Sequence, residues 1–184
     1  MKVWLWWALA TAVAFGVGGL LGAALSPSKD LIVIGYLAVT ASLILAGALQ
    51  WLTLRRLIAD AGWWVPASVA AVAIFGILVF GLGLINRDVG LVLGVVVGWI
   101  VLGTLQWLVL RGQVAGAGWW VLATALGLIL AIPVVGFVTW ATGAPADDPI
   151  GGLLRWLAFG AAYGAVTGTA LWWLLRERLE LAMP

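Results

Sequence analysis

The sequence predicts an all-α integral membrane protein, a six-helix bundle built from three tandem helical hairpins with pseudo-three-fold symmetry. Three observations carry that expectation. Of 184 residues 65% are hydrophobic and 9% charged, with a mean hydropathy of +1.20, whereas a soluble domain is about half apolar and about a quarter charged. The apolar residues gather into six runs, each long enough for a hydrocarbon core of about 30 Å at about 1.5 Å per helical residue. One stretch is spelled twice: residues 47–67 read GALQWLTLRRLIADAGWWVPA and residues 103–123 read GTLQWLVLRGQVAGAGWWVLA, identical at 14 of 21 positions and 56 residues apart. Self-similarity at a fixed period marks a duplicated supersecondary unit.

The spans are expected at about 3–25, 31–54, 63–85, 90–110, 119–142 and 151–175, forming a single transmembrane domain over residues 1–184. The first follows Lys2 and has a short basic start like that of a secretory signal, but its apolar run is too long for a signal core. Its Trp6-Trp7 start also resembles the Trp119-Trp120 start of the fifth span. The breaks read SPSKD, RRLIADAG, NRD, RGQVAGAG and GAPADDP. Each is short and polar, as a turn between antiparallel helices should be. Pro66 falls in the first turn of the third span, where proline costs little. Pro133 lies deep inside the fifth and removes an N–H there, which predicts a kink.

The repeat extends to a third unit. Gly168 to Arg176 matches Gly103 to Arg111, and the arginine stands eight residues after the glycine, as Arg55 does after Gly47. Even-numbered spans therefore end in tryptophan and arginine, and odd-numbered spans begin with Trp6-Trp7, Trp63-Trp64 or Trp119-Trp120. Parallel hairpins of this kind predict an axis along the membrane normal.

Lys2, Arg55, Arg56, Arg111, Arg176 and Arg178 fall where odd spans start and even spans end, six of the nine basic residues. The positive-inside rule then expects both termini to be cytoplasmic. Lys29, Arg87 and Arg155 belong to the opposite face, with Asp30, Asp88, Asp147 and Asp148. A net charge of +2 is what orientation requires and gives no reason to expect a nucleic-acid partner.

Eleven of fourteen tryptophans sit at the expected cytoplasmic boundary, among them Trp51, Trp107 and Trp172. The plain reading is an interfacial belt, because indole joins an apolar ring to one N–H donor. The sharper one is a shelf for a flat hydrophobic ligand. Gln50 and Gln106 precede Trp51 and Trp107, while the third unit has Leu171. An amide one turn inside the boundary serves as glue between helices or as part of a polar ring around a central pathway. Small residues recur every fourth position at Ala14, Gly18 and Gly22, at Gly90, Gly94 and Gly98, and at Gly160, Gly164 and Gly168. Such stripes let helix backbones approach closely, and a glycine-lined channel is the alternative. Pro133, with Gly136 and Thr139, is the best local candidate for a broken-helix binding site. Arg155 lies about one turn inside the outer end of the sixth span, where it can snorkel to meet Asp147 or Asp148.

The chain has no cysteine and no histidine, which removes thiolate and imidazole chemistry and the usual ligands for zinc and haem. No carboxylate falls at mid-membrane, so acid–base catalysis and ion coupling lack their usual residues. Neither a metal nor another cofactor is expected, though a hydrophobic ligand such as a lipid or carotenoid fits the tryptophans. The strings QWLVLR, AGWWV and AYGAVTGTALWWLLR resemble uncharacterised bacterial multi-pass membrane proteins over most of the chain. The resemblance implies a bacterial inner membrane and transfers no activity, ligand or site residue. Two functions are expected from these features. One is a non-enzymatic scaffold or accessory subunit in the bilayer that binds other membrane subunits, a second copy of itself, lipids or a pigment. The other is a small channel or transporter for a small neutral solute along the pseudo-three-fold axis.

Overall fold

A computed structural model describes residues 2–25, 31–145 and 148–181. Within them the helices are α1 (Lys2–Leu25), α2 (Leu31–Leu54), α3 (Trp64–Gly83), α4 (Arg87–Leu110), α5 (Trp119–Thr142) and α6 (Pro149–Leu181), with one 3-10 turn at Ala61–Trp63 leading into α3. Six spans within them are long and apolar enough to cross a bilayer. Local chemistry sets their ends. Asn86 caps α4 by accepting from the backbone N–H groups of Asp88 and Val89 at 3.1 and 3.0 Å, which satisfies donors that a helix start leaves open. Gly143 closes α5 in the left-handed region at φ 58°, where glycine carries no Cβ penalty. Pro149 then opens α6, a position where its missing N–H costs nothing.

Each helix packs against its neighbours in the chain, and α6 closes back onto α1. The result is a closed ring of six helices. Its outer surface is apolar, with Ile77 71%, Ile132 58% and Phe137 64% exposed, as a lipid-facing surface requires.

Lipid is as apolar as leucine, so close packing and polar contacts between helices have to replace the hydrophobic drive. The glycine ladders supply the close packing. A Cβ added at Gly160 would lie 2.7 Å from the Thr11 carbonyl, at Gly164 2.9 Å from Ala8 Cα, and at Gly168 3.1 Å from the Trp4 carbonyl, so the α6 ladder lies on the α1 backbone. On α4, Gly90 faces the Gly83 backbone, while a Cβ at Gly94 would meet Val79 at 2.5 Å and one at Gly98 would meet Phe75 at 2.7 Å. Helix α1 has two such faces. Gly18 and Gly22 turn toward Ala38 of α2, and Gly16 and Gly19 turn toward Leu157 and Gly152 of α6.

Among the described residues, the large buried side chains gather mainly into two clusters. One, at the end of the ring where the paired tryptophans stand, contains Trp7, Trp64, Trp120, Leu54, Leu110, Leu171 and Leu175. The other contains Phe15, Leu43, Trp99, Leu102, Phe159 and Tyr163. Two of the breaks expected to be simply polar join the first cluster, which corrects the sequence reading. Ile58 and Ala61 from one turn, and Val114 and Ala117 from the next, are buried there, because the opening in the ring below the tryptophans has to be filled by apolar atoms. Gln113 ties the two turns together: its amide nitrogen donates to Asp60 at 2.6 Å and its oxygen accepts from the Ala59 N–H at 2.8 Å.

A tryptophan and glutamine centre as the candidate functional site

The second tryptophan of each pair turns into the middle of the ring. Trp7, Trp64 and Trp120 are at most 1% exposed, and their rings form a closed triangle. Centroids are 5.6 Å apart for Trp7 and Trp64, 5.7 Å for Trp7 and Trp120, and 5.5 Å for Trp64 and Trp120, with interplanar angles of 73°, 89° and 67°. Edge-to-face contact sets the positive rim of one ring on the negative face of the next, a geometry worth about 0.5–1.5 kcal/mol per pair beyond burial.

Each indole N–H in the triangle has an acceptor on another helix. Trp64 Nε1 donates to Gln50 Oε1 and Trp120 Nε1 to Gln106 Oε1, both at 3.1 Å, and Trp7 Nε1 donates to Thr167 Oγ1 at 3.1 Å. The glutamine nitrogens reach the other way. Gln50 Nε2 donates to Thr11 Oγ1 at 3.0 Å and Gln106 Nε2 to Ser68 Oγ at 3.2 Å. One amide on an even-numbered helix thereby joins the odd-numbered helices on either side, α1 and α3 through Gln50, and α3 and α5 through Gln106.

Thr11, Ser68 and Thr124 each follow the inward tryptophan of their own helix by four residues. Thr11 and Ser68 close on the carbonyls of Trp7 and Trp64, at 2.8 and 3.0 Å. Thr124 instead bonds Val121, at 2.8 Å. The third bridge differs because Leu171 occupies the glutamine position and cannot hydrogen-bond. Thr167, one turn earlier on α6, takes over the indole of Trp7, while its own hydroxyl donates to the Tyr163 carbonyl at 2.9 Å.

Gln50, Ser68, Gln106, Tyr163 and Thr167 also border an internal cavity of about 10 Å³, which Phe15 and Leu102 help to enclose. That is the least space a single water occupies, and the lining offers enough polar partners to hold one.

The remaining predicted positions lie away from this centre. Trp51 and Trp107 are half-buried and carry Arg55 and Arg111 over their rings at 5.4 and 5.7 Å. In the third unit Arg176 lies over Trp173, at 5.5 Å, rather than over Trp172, the counterpart of Trp51 and Trp107 in the repeat. Arg155 donates to the carbonyls of Ala144 and Pro145 at 3.1 and 3.0 Å, holding the end of α5 against α6. Asp147 lies outside the described residues, and Asp148 accepts from the Gly151 N–H. Helix α5 runs unbroken through Pro133. Pro133, Gly136 and Thr139 are exposed on the outside of the ring, and the Thr139 hydroxyl is turned back onto the Val135 carbonyl at 2.8 Å.

The first tryptophan of each pair faces outward, as an interfacial belt requires, with Trp6, Trp63 and Trp119 exposed by 62, 68 and 59%. The second is buried in the centre of the ring. A signal was present in the sequence, since a hydroxyl residue follows each inward tryptophan at the same four-residue step and none follows the outward ones. No protein-family model, curated protein or solved structure matches the chain.

Proposed function

We propose that the protein is a non-enzymatic integral membrane scaffold or accessory subunit that binds other helices, lipids or a hydrophobic pigment on its outer surface. The filled centre of the ring is the observation that supports this reading. A solute moving along the middle would have to part three indoles whose centroids are 5.5–5.7 Å apart and whose N–H groups are all hydrogen-bonded. Beyond them it would meet a cavity of about 10 Å³. The polar groups around that cavity are amides and hydroxyls, which suit fastening helices together better than acid–base chemistry.

In this reading the repeated hairpins surround a pseudo-three-fold axis that passes through the tryptophan triangle. The membrane is a bacterial inner membrane, and the tryptophan-paired end with its arginines faces the cytoplasm. The full chain in liposomes should release glycerol and urea no faster than protein-free vesicles. Purified in native lipid, it should carry a lipid, a pigment or a second polypeptide detectable by mass spectrometry and absorbance. Solute release well above the protein-free rate, raised further in Trp64→Ala or altered in Gln50→Leu, would favour a small channel or transporter instead.

A further inference from the structure

Two grooves on the outside of the ring repeat one another. One, between α1 and α2, has a volume of about 670 Å³, and the other, between α3 and α4, about 700 Å³. Both are of the size that holds small-molecule ligands. Their apolar linings correspond at Trp6 and Trp63, at Ala10 and Ala67, and at Leu52 and Leu108. Both open where the exposed arginines gather, with Arg56 lining the first and Arg111 the second.

We propose that these grooves are a pair of phospholipid sites, and that the α1/α2 groove selects an anionic headgroup through Arg56. The inference rests on the membrane-scaffold reading and names one ligand class for it. Each groove offers an apolar trough for an acyl chain, an exposed indole at headgroup depth, and a guanidinium at the mouth. Guanidinium pairs with phosphate oxygens through two parallel N–H bonds, and indole N–H suits the ester region. Charge separates the two sites. The α3/α4 groove is lined by Asp60 as well as Arg111, so the two charges offset one another and headgroup charge matters little there. The α1/α2 groove has Arg56 with Thr53 beside it, and it favours a negative headgroup.

The third hairpin differs at the same register. Trp173 stands where Leu52 and Leu108 line the grooves, and the cavity it borders with Ala115, Gly116 and Arg176 is about 220 Å³. The proposal therefore places one lipid in each of the two larger grooves.

Native mass spectrometry of the full chain in neutral detergent, titrated separately with phosphatidylglycerol and phosphatidylcholine, tests the proposal. Two retained lipids are expected, one of them bound about five-fold more tightly as phosphatidylglycerol, the effect of one arginine at an anionic surface. Arg56→Gln should abolish that preference, and Arg111→Gln should leave it in place. Filling the grooves with Ala10→Phe or Ala67→Phe should remove one lipid each without lowering the melting temperature. Equal retention of the two lipids by the unmodified chain, an unchanged preference in Arg56→Gln, or two lipids still bound by the doubly filled variant would overturn it. A co-purified pigment displaced by phosphatidylglycerol would overturn the lipid assignment and leave the scaffold reading standing. Solute flux would sink the scaffold reading without removing the lipid sites.

Discussion

Trp64 and Gln50 join two hairpins through one hydrogen bond, from the indole Nε1 of α3 to the amide oxygen of α2 at 3.1 Å. The same amide reaches Thr11 on α1 at 3.0 Å, so a single buried side chain fixes three helices relative to one another. Gln106 repeats the arrangement with Trp120 and Ser68. A buried amide with all these bonds made stabilises a fold, and one left half-paired is costly.

Gln50→Leu should therefore lower stability by about 1–3 kcal/mol, because it strands the Trp64 N–H in an apolar interior. Trp64→Phe keeps a ring in the triangle and strands only the amide oxygen. The double variant should cost less than the sum of the two singles, since removing both partners leaves nothing unpaired. Melting of the detergent-solubilised protein checks this, and strict additivity would mean the hydrogen bond contributes nothing.

The third bridge offers a rescue. Thr167→Val removes the acceptor of Trp7 and should destabilise by about 1–2 kcal/mol. Adding Leu171→Gln places an amide at the position that Gln50 and Gln106 hold in the other units. The double variant should regain most of the loss. A further drop would show that the α6 position is not equivalent to the other two.

The glycine ladders predict a contrast between helices. Leucine at Gly94 or Gly164 would be driven into Val79 or into the α1 backbone, and each should cost about 1–3 kcal/mol through overpacking. Gly136→Leu should be close to neutral, because nothing lies within 4 Å of a Cβ there. Equal melting of all three variants would remove the ladders from the list of stabilising contacts.

Topology can be read with reporter fusions after Asp30, Asp88 and Asp147. All three should report the outside of the membrane. A cytoplasmic signal from any of them would reverse the orientation inferred from the arginines.

How far the sequence could be read depended on the kind of information each feature carries. The six spans were legible because length and apolarity alone decide whether a helix can cross a bilayer. Expected boundaries such as 31–54 and 119–142 coincide with α2 and α5. The repeat was legible too, in the shared letters around Gln50 and Gln106. What the amides bind was not. The partners of Gln50 are 14 and 39 residues away on the helices to either side, and Trp7 finds its acceptor 160 residues away on α6.

The physical reason is that a membrane removes the main clue to which face of a helix turns inward. In water an apolar stripe marks the buried face, but in lipid the outside is as apolar as the core. Trp63 and Trp64 are adjacent and chemically alike, yet one is 68% exposed and the other fully buried. Only the closing of the ring, with α6 laid against α1 on the small faces of Gly160, Gly164 and Gly168, decided which indole turned inward and what each polar group met there. The sequence by itself determined six spans long and apolar enough to cross a membrane, with shared letters recurring among them. The tertiary structure decided that the second tryptophan of each pair fills the centre, because only there can its ring find two others and its N–H find an acceptor.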